Sequence, residues 1–253
     1  MDRVDRRAEL KQSFIEVRGY WNAFWDGLLD LSPDFFEAYL DYSGLPWRSG
    51  ILEPKVKEFI YIAIDASATH LYEPGLRVHV SNALDYGASK EEIMEVFQLS
   101  AIIGMQTMAV GMPALLDCST PSEPVEPMDS GEEKRELVHR FRERFGYWDQ
   151  AWEAVLRLNP DFLNSLMSLS GVAYEHGCLQ PKVKELINIA LNVAVTHLYQ
   201  PAVDAHVKRA RDLGATDKEI FEVFQLTSVL GMHSCTVGVP ILLEELSKRS
   251  AVD

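Results

Sequence analysis

Apolar residues recur at three- and four-residue intervals along the chain, as in Ile93, Val96 and Phe97 and again in Ile220, Val223 and Phe224. That spacing places them on one side of an α-helix. No segment alternates apolar and polar residues between tight-turn glycines as a half-buried strand would. The pattern predicts an all-α fold. Pro54 and Pro181 suit the first position of a helix whose apolar segment continues through Ile64 or Leu191 and ends near Thr69-His70 or Thr196-His197. Pro74 and Pro201 open the next helix, which passes His79 and Ala83 and ends at Gly87, with Gly214 as its counterpart. Ser89 to Glu92 and Thr216 to Glu219 are capping boxes that start a third helix.

These elements come in pairs because the chain repeats itself. PKVKEFIYIAIDASATHLYEPGLRVHV from Pro54 lies over PKVKELINIALNVAVTHLYQPAVDAHV from Pro181, and the register holds without a gap from Phe14 to Leu116. A period this long signals duplicated domains rather than a solenoid. The segment after Cys118, STPSEPVEPMDSGEE, is rich in Pro, Ser and acid and has the composition of an extended linker. The expected organisation is a first domain over 1–117, a linker over 118–132 and a second domain over 133–253.

Charge narrows the partners. With 24 Lys+Arg against 38 Asp+Glu the chain carries −14 at neutral pH, so its field repels a nucleic-acid backbone or an anionic membrane. The opening MDRVDRRAELKQ has neither the apolar core of a signal peptide nor a membrane span. A cytoplasmic location is expected. Cys118, Cys178 and Cys235 are far apart and form no C-x-x-C, which argues against a disulfide framework or zinc knuckle and predicts three buried free thiols.

The order of PKVKE, an apolar helix, a polar turn, a histidine-bearing helix (LRVH79V and VDAH206V), Gly-Ala-Ser/Thr-x-x-Glu-Ile-x-Glu-Val and Gly-Met-x-x-x-x-Val-Gly-x-Pro resembles the carboxymuconolactone decarboxylase family. That all-helical superfamily includes the alkylhydroperoxidase D type proteins, so the resemblance implies two tandem alkylhydroperoxidase D-like domains. Its redox branch places two cysteines ahead of the histidine; here those positions hold Tyr72 and Gly75, and Tyr199 and Ala202. Without a thiolate pair there is no thiol peroxidase chemistry. The similarity is instead to the cysteine-free decarboxylase branch, through Glu73-Pro-Gly75-Leu76-Arg77-Val-His79. It implies a cofactor-independent lyase, with no metal, acting on a small carboxylated lactone or unsaturated keto acid of aromatic catabolism. Single-copy members form rings of six domains, so the resemblance also implies a homo-oligomer, a trimer serving as a pseudo-hexamer or a dimer.

The residues suggest specific roles. The amides at the helix starts after Pro74 and Pro201 form a dock for a carboxylate, and His79 and His206 lean back toward it as neutral imidazoles able to exchange a proton. His70 and His197, in the shared Thr-His-Leu-Tyr, either cap a helix end or join the same pocket. Tyr72 and Tyr199 offer phenol donors there, and Gly75, Leu76 and Arg77 complete the expected substrate contacts. Glu58 and Glu185 stand where family members carry a proton-relay glutamate. In a simple antiparallel hairpin, though, Glu58 lies ~16 Å from the turn and His79 only about 8 Å, so Glu58 would need a neighbouring chain, and Asp65 is the nearer partner for His79. The copies also differ: Asp65 faces Asn192, Arg77 faces Asp204, Gln106 faces His233 and Met108 faces Cys235. These differences favour the first copy as the site for an anion. Gly104 and Gly231 are expected to permit close helix packing. Two rival readings stay open: a non-catalytic binder of small acids, and a metal-dependent enzyme using the paired histidines, whose spacing lacks i,i+4.

Overall fold

The computed structural model describes residues 3–118 and 131–250, so most of the expected linker lies outside the described residues. Among those described the chain forms fourteen α-helices and no strand, seven in each copy. The first copy runs α1 (Arg3–Arg18), α2 (Phe24–Leu31), α3 (Pro33–Ser49), α4 (Pro54–Ala66), α5 (Glu73–Asp85), α6 (Lys90–Ile102) and α7 (Gln106–Cys118). The second repeats the order as α8 (Glu132–Phe145), α9 (Gln150–Leu158), α10 (Pro160–Glu175), α11 (Pro181–Val193), α12 (Gln200–Asp212), α13 (Asp217–Ser228) and α14 (His233–Ser250). A 3-10 turn at Ile103–Met105 or Val229–Met232 joins the last two helices of each copy.

Local chemistry sets the helix ends. Both capping boxes form, with Glu92 N–H donating to Ser89 Oγ at 3.1 Å and Glu219 N–H to Thr216 Oγ1 at 3.2 Å. Gly87 and Gly214 follow their helices at φ +81° and +84°, a conformation that costs glycine nothing. The α4 helix stops at Ala66, ahead of the Thr69-His70 end expected from the sequence. Its continuation is a turn in which Leu71 takes φ +49°, matched by Leu198 at +50°. A leucine is strained there. The twist brings Tyr72 N–H back to the Asp65 carbonyl at 2.8 Å, and Tyr199 N–H to Asn192 at 3.0 Å, which fixes how α5 and α12 leave the turn.

The two copies are interlocked. At the centre α4 packs against α11, and each is buried on all sides over Val56 to Asp65 and Lys184 to Asn192. Phe59, Ile62 and Ala63 of α4 face one hydrophobic core, while Ile60, Tyr61 and Ile64 face the other. Neither core belongs to one copy. The first joins α8, α9 and α10 to α6 and α7; the second joins α1, α2 and α3 to α13, with α14 lying against α2 and α7 against α9. Each buried Ile or Phe contributes about 1.5–3 kcal/mol, so the exchange of helices is what fills both interiors. Two stretches, Lys90–Asp117 and Asp217–Ser250, are long and apolar enough to cross a membrane by length and composition alone. Their apolarity has an inward use, since Val96, Leu99, Val223 and Leu226 lie in the two cores.

Charge locks the exchange. Lys57 Nζ meets Glu222 Oε1 of the other copy at 2.8 Å, and Lys184 Nζ meets Glu95 Oε1 at 2.8 Å, all with side chains no more than 6% exposed. The carboxylates also hold backbone of the loops ahead of α4 and α11, through Leu52 N–H at 3.3 Å and Leu179 N–H at 2.8 Å. Two expectations need correction. Gly104 and Gly231 have open space where a Cβ would stand, so they do not serve close packing. The thiols are not all buried: Cys178 is exposed and Cys235 half-buried, and the Cys118 side chain lies outside the described residues. Removing one partner of a buried pair strands the other charge, so Glu222→Ala should cost about 3–5 kcal/mol in denaturant unfolding, with much of it regained in Lys57→Met/Glu222→Leu. A loss below about 1 kcal/mol for the single variant would show that the pair does not lock the copies together.

Candidate functional site

His79 of α5 and Glu58 of α4 meet directly, His79 Nδ1 lying 2.6 Å from Glu58 Oε2. This overturns the hairpin estimate. Because α4 ends at Ala66, Glu58 is about 12 Å from the end of its helix and His79 about 9 Å into the next, a difference the long glutamate side chain spans. Asn82 Nδ2–H donates to the other carboxylate oxygen at 3.2 Å, and the Tyr61 ring stacks on the imidazole with centroids 4.4 Å apart. A carboxylate at Nδ1 selects the tautomer protonated there. Nε2 is then the nitrogen left for a ligand.

The imidazole lines a cavity of about 30 Å³ built from both copies. Arg18 and Tyr39 enter from α1 and α3 and Tyr20 from the loop after α1, Tyr72 and Gly75 from the turn and α5, and Leu230, His233 and Thr236 from the second copy. Arg18 was missed by the sequence reading. It ends α1, is 4% exposed, and lies 5.1 Å from the Trp47 ring and 5.3 Å from the Tyr61 ring. Among the described residues, its Nε and Nη1 have no hydrogen-bond partner. Guanidinium N–H groups held without acceptors in a cavity are costly unless an anion meets them.

The surroundings of the α5 start also differ from those expected. At the start of α5 the Leu76 N–H is taken by the Tyr72 carbonyl at 3.1 Å, and His79 turns to Glu58 rather than to the helix amides. Arg77 points to solvent, 76% exposed and paired with Glu73. Leu76 packs on the hydrophobic core instead of the cavity. Asp65 is not the partner of His79 either: its Oδ1 lies 3.8 Å from His233 Nδ1, while His233 Nδ1 and His70 Nε2 are 2.7 Å apart. Burial pushes the Asp65 carboxyl up to about 7 and the His233 imidazole down to about 3, and it lowers His70 and His197 as well. Tyr72 stacks on His233 with centroids 3.8 Å apart and hydrogen-bonds Thr236 Oγ1 at 2.5 Å.

The second copy keeps the dyad and changes what surrounds it. His206 Nδ1 lies 2.7 Å from Glu185 Oε2, whose other oxygen accepts from Arg209 Nε at 3.0 Å. Its cavity is about 20 Å³ and presents Phe145, Asn188 and Gln106 where the first presents Arg18, Tyr61 and His233. Gln106 Nε2–H donates to Asn192 Oδ1 at 2.5 Å and its Oε1 meets His197 Nε2. Tyr199 is half-buried beside His197 and does not line this cavity.

Gly75 is needed for space: a Cβ there would come 2.2 Å from Asp65 Oδ2 and 2.7 Å from Tyr72 Cδ1. Gly75→Ala should therefore destabilise the protein by about 1–3 kcal/mol. Gly104→Ala, with nothing in the way, should be neutral or slightly stabilising. Thermal unfolding of the two variants separates these outcomes, and equal shifts would contradict the packing argument.

The model of the Carboxymuconolactone decarboxylase family matches residues 33–117 and 160–232. No curated protein sequence matches the chain with significance. A crystal structure from Burkholderia xenovorans LB400, of a protein assigned as a gamma-carboxymuconolactone decarboxylase subunit, superposes with a TM-score of 0.89 at 37% identity, covering 96% of this chain and 98% of that one. Matched once in each half and lacking the C-x-x-C pair, the chain belongs to the carboxymuconolactone decarboxylase family as a tandem member.

Proposed function

We propose that the first-copy site is a decarboxylase centre, or one for a related proton shift, acting without an organic cofactor on a small carboxylated lactone or unsaturated keto acid of aromatic catabolism. The observation that carries this reading is the buried Arg18, with two unpartnered N–H-bearing nitrogens, sharing one cavity with the His79–Glu58 dyad. Membership of the family and the LB400 structure support the reaction class.

The chemistry follows from the groups present. Arg18 seats the substrate carboxylate and Tyr72 or Tyr61 offers a phenol to a second oxygen. When the C–C bond to the leaving carboxylate breaks, its electron pair moves into the conjugated carbonyl to give an enolate, and carbon dioxide departs. His79 first takes a proton from solvent at Nε2, the resulting imidazolium being balanced by Glu58 at Nδ1–H; it then delivers the Nε2 proton to the carbon and returns to the neutral Nδ1–H tautomer. A ring acid needs several times the 30 Å³ of this cavity, so entry requires the aromatic lining to move. The second copy, with Phe145 in place of Arg18, lends helices to the site rather than a second centre. A cytoplasmic location goes with this reading. So does self-association, as a trimer or a dimer, for which the exposed Ile241, Leu242 and Leu246 of α14 supply an apolar face.

Carbon dioxide release from γ-carboxymuconolactone tests it. His79→Ala should lower kcat by about 100-fold or more, His206→Ala should leave it within about twofold, and Arg18→Met should lower kcat/KM by about 30-fold or more. Saturable binding without turnover would support the non-catalytic reading, and unchanged turnover in His79→Ala would refute the assigned role.

A further inference from the structure

Beside the cavity lie three groups that the proton chemistry does not use. A carboxylate oxygen of Asp65, a nitrogen of His70 and a nitrogen of His233 all fall within 4.8 Å of one another. They come from the end of α4, from the turn after it and from the first residue of α14 in the other copy. Asp65 is 1% exposed, and among the described residues neither of its oxygens has a hydrogen-bond partner. At 3.8 Å the contact with His233 is too long for a hydrogen bond. A buried carboxylate facing two imidazoles with nothing to neutralise it is unfavourable, and one cation would satisfy all three groups.

We propose that Asp65, His70 and His233 bind a single divalent transition-metal ion per chain, zinc or ferrous iron. Two imidazole nitrogens and one carboxylate oxygen are the donor set these ions take at sites that keep an open position. The two nitrogens, 2.7 Å apart, need open only to about 3.3 Å to share a tetrahedral zinc with bonds of about 2.0 Å. His233 lines the cavity, so the open position faces the substrate side. This proposal goes beyond the decarboxylase reading and does not depend on it.

The second copy supplies the internal comparison. At the equivalent places stand Asn192, His197 and Gln106, which close their own network: Gln106 Nε2–H donates to Asn192 Oδ1 at 2.5 Å and Gln106 Oε1 accepts from His197 Nε2–H. An acid and a histidine from two different helices are thus replaced together by neutral amides, in the copy where the acid is absent. The carboxylate survives only where both imidazoles face it.

The test uses tag-free full-length protein stripped with chelator and titrated with zinc chloride by calorimetry, with metal content measured after gel filtration. The expected result is one equivalent of zinc per chain. Asp65→Asn/His233→Gln, which reproduces the polar set of the second copy, should keep the unfolding temperature of the metal-free protein and bind zinc more than about 100-fold more weakly. No stoichiometric binding by the wild type, two equivalents per chain, or undiminished binding by a folded double variant would each overturn the proposal. Because the readout is metal rather than turnover, a failure here is separable from a failure of the decarboxylase reading.

Discussion

A buried ammonium has to be met by an anion, and for Lys57 and Lys184 that anion belongs to the other copy. This constraint arranges the molecule. With Glu222 and Glu95 tied to the central helices and to the loops ahead of them, α13 is held on α3 and α4, and α6 on α10 and α11. The terminal helices follow, α14 onto α2 and α7 onto α9. Each cavity is then walled by both halves of the chain, which is why His233 and Thr236 stand beside His79.

Duplication lets the two sites diverge while the scaffold stays symmetric. The His–Glu dyad persists at 2.6 and 2.7 Å, and the ion-pair locks persist with it. The polar environment does not. The first cavity holds a buried guanidinium and adjoins an unpartnered carboxylate; the second holds Phe145 and a closed amide network. Buried charge without a partner is unfavourable in a folded chain. Its retention on one side only is what the proposal of a single site rests on, and its loss on the other leaves a better-satisfied interior that still contributes helices across the pseudo-symmetry.

Much of the fold was legible in the residues. Proline at the first helical turn, the capping boxes and the repeated register identify helices that the structure contains, because these signals act locally. What periodicity cannot say is which buried face meets which, so the exchange of helices between copies was invisible. The same limit hid the dyad: its reach depended on where α4 ends, and that end is set by a left-handed leucine that no propensity announces. Arg18 had a readable signal, a charged residue aligned with Phe145 beside the shared Gly-Tyr-Trp. Its importance comes from burial in a cavity made by distant segments, which no local signal shows. Arg77, the cation nearest His79 in sequence, faces solvent on the opposite side of its helix.

The central claim is that one site per chain, seated on Arg18 and completed by the second copy, receives the anion. A crystal structure with an unreactive dicarboxylate analogue of the lactone addresses it most directly. The account predicts one analogue per chain, with a carboxylate oxygen about 3 Å from Arg18 Nε or Nη1 and the reacting carbon turned toward His79 Nε2. An analogue bound beside His206, or one held in the first copy away from Arg18, would contradict it.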